Sequence, residues 1–226
     1  MYSVADNFDS AGVKIHYAVH GAGEPVILIH GLHSSSRINW DSLGVTHFLA
    51  NHFQVVTMDC RGHGQSDKPE AEDAYGINMV EDVVRLMDHL RIQQARIVGY
   101  SMGAVIAMKL AVMHPGRVEQ IILGGMGWNK AGAPLKSAVD SVPKILSKAP
   151  PACAKSFPQF GVTEAEIKAV KTPIAVLIGE NDPYIEWYVE PLRQVRPDWP
   201  VYIIAGANHL NCPGKPEFKT QLQPAL

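Results

Sequence analysis

Gly99-Tyr100-Ser101-Met102-Gly103 sets a serine between two glycines, each two residues away. The run before it, Ala95-Arg96-Ile97-Val98, reads as a buried strand. The run after it, residues 102–114, is apolar, rich in small side chains and stopped by Pro115. The order is strand, tight turn, helix. Such a turn forces Ser101 into a strained backbone conformation, and glycines at 99 and 103 leave room for the helix to close on the strand. A serine presented in this way is a candidate nucleophile. Chance alone also produces this pentapeptide in a chain with 19 glycines, so its setting and its partners carry the argument.

On either side, the chain alternates strands with helices. Residues 13–19 alternate apolar and polar side chains, which predicts a half-buried strand ending in Gly21-Ala22-Gly23. Pro25–Ile29, residues 53–58, 97–98, 118–123 and 174–178, and Val201–Ile204 are continuous apolar runs, as expected of strands buried on both faces. The clearest helical pattern is residues 78–90. Asn78 and Glu81 make a capping-box-like start there, and Val80, Val83, Val84, Met87 and Leu90 share one face. The expected fold class is α/β, a mostly parallel twisted sheet with helices on both faces. Residues 125–172 break the rhythm. They hold Pro134, Pro143, Pro150, Pro151 and Pro158, with an amphipathic stretch at Val139, Val142, Ile145 and Leu146. A short lid inserted between two core strands is expected, rather than a second domain. Its seven lysines against three acids read as a solvated surface.

Composition narrows the function classes. A chain of 226 residues suits one domain with a substantial core. Net charge is −2, from 20 basic and 22 acidic residues with no basic block, so nucleic-acid binding has no electrostatic footprint. No apolar run approaches the ~20 residues that span a bilayer, and the first residues do not read as a leader. Cys60, Cys153 and Cys212 are odd in number and lack metal-ligand spacing. They read as free thiols in a reducing compartment, with a cytoplasmic location expected.

A serine hydroxyl needs a histidine to take its proton, and the histidine needs a carboxylate to hold its tautomer. Of ten histidines, His209 is best placed, in a loop just after the last expected strand. His114 reads as a surface residue, His89 as a helix flank, and His16 and His20 as parts of an early hairpin. Asp182, in Gly179-Glu180-Asn181-Asp182-Pro183, follows a strand directly. Alone it would pass for a turn residue; with Ser101 and His209 also at strand ends it is the candidate carboxylate. Asp140 lies in the lid, Asp198 precedes a strand, and Glu180 is the nearest substitute. Oxyanion donors are expected at the backbone N–H of Met102, where a helix begins, and of Leu32, in His30-Gly31-Leu32-His33. His33 reads as an exposed loop residue. Met126 and Trp128 are candidates for the substrate pocket, or else pack the lid on the sheet.

With these residues in place, the chain resembles the α/β-hydrolase superfamily nearly end to end. The match runs through His30-Gly31, then Asp59-Cys60-Arg61-Gly62-His63-Gly64-Gln65-Ser66, then the elbow at Ser101, then Asp182 and His209 in that order. The Asp-x-Arg-Gly-His-Gly-x-Ser segment marks the group with small esterases and C–C bond hydrolases. Its residues read as structural, with Arg61 and Asp59 bracing a tight loop. The resemblance implies that residues 125–172 are a cap, shorter than in many relatives. Ala207-Asn208-His209 departs from the more usual Gly-His ending. Serine at the elbow sets the chain apart from the branches that use an aspartate nucleophile.

The expected function is a serine hydrolase acting on a small carboxylic ester through an acyl-enzyme, with no metal or organic cofactor implied. C–C bond, lactone or thioester hydrolysis would use the same three residues. A small-ligand receptor on the same scaffold is the reading from another class.

Overall fold

The computed structural model describes residues 3–133 and 149–226. Asp140, Pro134, Pro143 and the amphipathic positions Val139, Val142, Ile145 and Leu146 lie outside these. Eight strands form one sheet: β1 Ser3–Ser10, β2 Val13–His20, β3 Pro25–Ile29, β4 Gln54–Met58, β5 Ala95–Tyr100, β6 Val118–Gly124, β7 Ile174–Gly179 and β8 Val201–Ile204. Their order is β1-β2-β4-β3-β5-β6-β7-β8. The first two are antiparallel to their neighbours and the remaining pairings are parallel. The expected α/β architecture is therefore present.

The central apolar runs are strands covered on both sides, while β8, at the sheet edge, leaves Ile203 exposed. Ile27 and Ile29 face one core cluster, while Val26 and Leu28 face the other. Helix α1 (Val45–Leu49) and α7 (Pro216–Ala225) bury side chains in the second cluster; α2 (Ile77–His89) and α3 (Met102–Met113) bury theirs in the first. Within the insertion, α4 (Pro151–Lys155) and α5 (Glu164–Ala169) flank a 3₁₀ turn, and Cys153, Phe157 and Phe160 are buried against the first cluster. Helix α6 (Glu190–Val195) follows β7.

One expectation is corrected. Asn78 does not cap α2: the cap is Gly76, at φ 64°, and the Asn78 amide donates to the Asp73 carbonyl at 2.9 Å. A glycine makes the turn with its backbone, so no side-chain cap is needed.

Helix α3 can pack on the sheet only because two residues lack side chains. A Cβ at Gly103 would lie 2.0 Å from the Ile29 carbonyl oxygen, and one at Gly99 would lie 2.2 Å from the Gly103 carbonyl oxygen. Backbone cannot retreat as a flexible side chain can. Gly103→Ala is expected to cost about 3 kcal/mol, read as a lower urea midpoint. An unchanged midpoint would sink this account of the elbow.

Candidate active site

Ser101 sits between β5 and α3 with φ 52° and ψ −112°. This is a left-handed conformation that a residue with a Cβ rarely adopts, costing about 1–3 kcal/mol. The structure around it fixes it. Its N–H donates to the Gly124 carbonyl at 2.8 Å, and its own carbonyl accepts from Ala104 and Val105 in the first turn of α3.

Three side chains distant in sequence converge there. Ser101 Oγ lies 2.9 Å from His209 Nε2, and His209 Nδ1 lies 2.7 Å from Asp182 Oδ2. Asp182 follows β7 and His209 follows β8, so all three stand at the carboxyl ends of parallel strands of one sheet, with β6 between β5 and β7. Asp182 is 3% exposed, and its Oδ1 accepts from the Tyr184 N–H at 3.0 Å. Nδ1–H then donates to the carboxylate, leaving Nε2 free to accept the serine proton. Two tyrosine rings also pack against His209. The Tyr184 ring stands 4.7 Å away edge-on, and the Tyr100 hydroxyl donates to the His209 carbonyl at 2.7 Å. Glu180, the substitute carboxylate, instead accepts from the Gly206 N–H at 2.8 Å, and Asp198 pairs with Arg196.

Gly31 brings the loop after β3 against the serine: a Cβ there would lie 3.4 Å from Ser101 Cβ. The Gly31 N–H is held by Asn39 Oδ1 at 3.0 Å. This fixes the backbone immediately before Leu32. Asn39 was not legible in the sequence. It lies in a π-helical turn, Arg37–Asp41, that no periodicity marks.

Behind that loop, residues 59–66 act as a brace, as expected from the sequence. Asp59 accepts from Ser36 N–H and Oγ and from Gln65 N–H. Burial pushes its pKa up, yet these bonds and His30 outweigh burial, so the net shift is down. His30 Nδ1–H donates to the Gly31 carbonyl and Nε2 accepts from the Cys60 N–H, which defines the neutral tautomer. Burial lowers its pKa. His63 packs edge-on to His30 at 5.1 Å, and its buried Nε2 has no hydrogen-bond partner.

The consequence is acid lability. Burial, then the neighbouring His30, lower the His63 pKa from 6.5 to about 3. Between these values the unfolded chain holds a proton that the folded chain does not. Stability is therefore complete above pH 6.5 and falls as pH drops, by about 1.4 kcal/mol per pH unit for this group. His30 acts in the same direction. Melting temperature is expected to fall between pH 6.5 and about 4, less steeply in His63→Asn. An equal slope in that variant would remove His63 as a cause.

A cavity of about 300 Å³ opens beside Ser101, lined by the 31–43 segment, Tyr100, Tyr184 and residues 209–213. His33, expected to be exposed, is half-buried and lines it; its φ is 62°, and burial lowers its pKa. Met126 and Trp128 do not line this cavity. Both belong to the core, and Trp128 Nε1–H donates to the Val162 carbonyl at 2.7 Å, tying the start of the insertion to its later part. His114, read as a surface residue, is half-buried and bonded to Glu81 at 2.8 Å. His89 stacks on Phe8 and bonds the Tyr17 hydroxyl. Among the described residues no group of three His, Cys, Asp or Glu is placed to hold a metal, and no helix is long and apolar enough to cross a membrane.

A strained serine at a strand-to-helix turn, with histidine and aspartate at later strand ends, matches one known architecture. The chain belongs to the alpha/beta hydrolase fold family, whose model matches residues 24–155. It is 35% identical over 136 residues to a 2-hydroxymuconate semialdehyde hydrolase of Pseudomonas sp. (strain CF600), covering 59% of this chain and 46% of that one. It is 39% identical over 116 residues to the dihydrolipoyllysine-residue acetyltransferase component of the acetoin cleaving system of Cupriavidus necator, covering 51% and 30%. The chain thus spans about a third to a half of the length of these curated relatives. A carboxylesterase structure from Nitrososphaera gargenis superposes with a TM-score of 0.77 at 20% identity, covering 97% of this chain and 96% of that one. Est816, an N-acyl homoserine lactone degrading enzyme, gives 0.78 at 24% identity, covering 98% and 100%. These two likenesses speak to the fold.

Proposed function

We propose that this chain is a serine hydrolase that cleaves small carboxylic esters through an acyl-enzyme. The observation that carries the reading is the continuous relay from Ser101 Oγ through His209 to Asp182, at 2.9 and 2.7 Å. His209 Nε2 takes the serine proton as Oγ attacks the acyl carbon, and Asp182 holds the imidazole and stabilises the imidazolium. The N–H groups of Leu32 and Met102 stabilise the oxyanion, the second aided by the start of α3. The imidazolium then gives its proton to the leaving alkoxide. In the second half, water attacks the acyl carbon as His209 takes its proton; the imidazolium then returns a proton to the departing Ser101 Oγ, and the acid is released. Residues 125–172 form a short cap on this scaffold. C–C bond hydrolysis is the second reading, favoured by the identity to the semialdehyde hydrolase.

A labelled fluorophosphonate, followed by mass mapping, tests the nucleophile. The expected result is one adduct, on Ser101. An adduct elsewhere, or none, overturns the reading. Parallel rates on ester, lactone, thioester and diketone substrates then separate the two chemistries.

A further inference from the structure

We infer that the cavity beside Ser101 is a site for an unbranched, uncharged hydrocarbon chain of the ester, and that Ile38, Leu43 and Leu210 set the length it accepts. This deepens the serine-esterase reading and rests on it.

Two independent observations meet here. The first is the chemistry of the lining. Leu32, Ile38, Leu43, Leu210 and Pro213 supply its apolar surface, and among the described residues no Lys, Arg, Asp or Glu lines it. A carboxylate entering such a cavity would lose its hydration with no cation to replace it. Of the polar groups that line it, Asn39 Oδ1 holds the Gly31 N–H, the Ser34 and Tyr100 hydroxyls donate to the Ser35 and His209 carbonyls, and His209 belongs to the relay. His33 also lines it, and burial lowers its pKa and so favours the uncharged ring.

The second is what surrounds the mouth. Ile38 is 61% exposed and Leu210 is 69% exposed, the two most exposed large apolar side chains among the described residues. Both border this one cavity. Scattered exposed apolar residues need no explanation, but two at the rim of an apolar cleft that contains the nucleophile extend its apolar surface outward.

Size sets the length. At about 300 Å³ the cavity lies at the small end of ligand sites. It holds about ten groups the size of a water or a methylene. A chain near eight carbons fills it, and longer ones run out past Ile38 and Leu210. The described lining residues come from the 31–43 segment, Tyr100, Ser101, Tyr184 and the loop at 209–213. Selection by chain length is therefore assigned to the 31–43 segment and the loop after His209.

The test is a series of p-nitrophenyl esters from acetate to palmitate, with n-alkyl acetates as the arm that places the chain on the alcohol side. kcat/KM is expected to rise about threefold per methylene up to about octanoate and then to level or fall. The p-nitrophenyl hemiester of suberic acid, which ends in a carboxylate, is expected to react about 100-fold more slowly than the octanoate. Leu210→Asp should lower the octanoate-to-acetate ratio about tenfold, and Ile38→Lys should shift preference toward the carboxylate-ended ester. A flat chain-length profile, equal use of the hemiester, or unchanged ratios in both variants would overturn the inference. A binding arm separates this from the chemistry. Calorimetry on Ser101→Ala should show octanamide binding more tightly than acetamide and than suberic acid monoamide. If that preference holds while Ser101 takes no fluorophosphonate, the esterase reading fails and the chain site stands. If Ser101 is labelled and the preference is absent, the chain site fails alone.

Discussion

Ser101→Ala is expected to lower kcat on p-nitrophenyl butyrate by about 10⁴-fold or more, with the melting temperature nearly unchanged. The hydroxyl is the only atom lost. The backbone bonds that hold residue 101, to Gly124 and from Ala104, are made by main-chain groups and survive. KM should move far less than kcat, because the missing bond forms only on the way to the tetrahedral intermediate. His209→Ala should cost a similar factor. The double variant should be scarcely worse than either single one, since the two residues act as one unit. Asp182→Asn is expected to cost about 10⁴-fold as well, by a different route. An amide at 182 can present its NH₂ to Nδ1, which favours the tautomer with the proton on Nε2 and removes the base from the serine. Ester turnover in Ser101→Ala within tenfold of the parent would remove the serine mechanism, and a double variant far worse than both singles would show that serine and histidine act separately.

The parts of this arrangement that the sequence revealed are those with a local signature. Pro25–Ile29 forms a strand with the bounds its apolar run predicts, because a strand covered by helices on both faces must be apolar along its length. Val201–Ile204 also has the predicted bounds, but it is the sheet edge and Ile203 is exposed, so the expected burial on both faces is not met there. Ser101, Asp182 and His209 could be named because each follows such a run, and a parallel sheet brings strand ends to one edge. Strand β1 had no such signature. Val4, Ala5, Asp6 and Asn7 are exposed at the sheet edge, and Phe8 and Ser10 are its buried side chains among those described. Its antiparallel pairing to β2, and not its own hydrophobicity, makes it a strand. Strand β5 runs two residues further than its apolar run suggests, since Gly99 and Tyr100 pair with Leu123 and Gly124. The Tyr100 hydroxyl on the His209 carbonyl joins residues 109 apart, and the Asn39 bond to Gly31 starts from an irregular turn. Neither follows from spacing, because both depend on how loops approach after the sheet has formed. Of the two readings of Met126 and Trp128, core packing is the one their burial matches. Met126 and Trp128 follow β6 in sequence, but they turn into the core, and the space beside Ser101 is bounded by the loop after β3.

The largest stability effect is expected at a residue that the helical pattern hid. Asp82 lies on the buried side of α2, fully buried among valines and methionines. Arg61, from the loop after β4, meets it with two parallel bonds: Nε to Oδ2 at 2.7 Å and Nη2 to Oδ1 at 2.5 Å. The Ser10 hydroxyl adds a third from β1 at 2.5 Å, and Arg85 stands 3.9 Å away. The pair thus ties the brace behind the oxyanion loop to α2 and to the sheet edge. Asp82→Ala leaves the guanidinium buried, with the Ala74 carbonyl as its remaining bond partner. The expected loss is about 3–5 kcal/mol, or about 10 °C in melting temperature for a chain of this size. The charge left behind, more than the bond removed, is the cause. The double variant Arg61→Met/Asp82→Leu should therefore recover most of the loss, because no charge is stranded. Chemical denaturation of the parent, both single variants and the double variant measures the coupling between the two sites. A double variant as unstable as the sum of the singles would show that the two side chains act independently, and that the loop at residues 59–66 is held by something other than this ion pair.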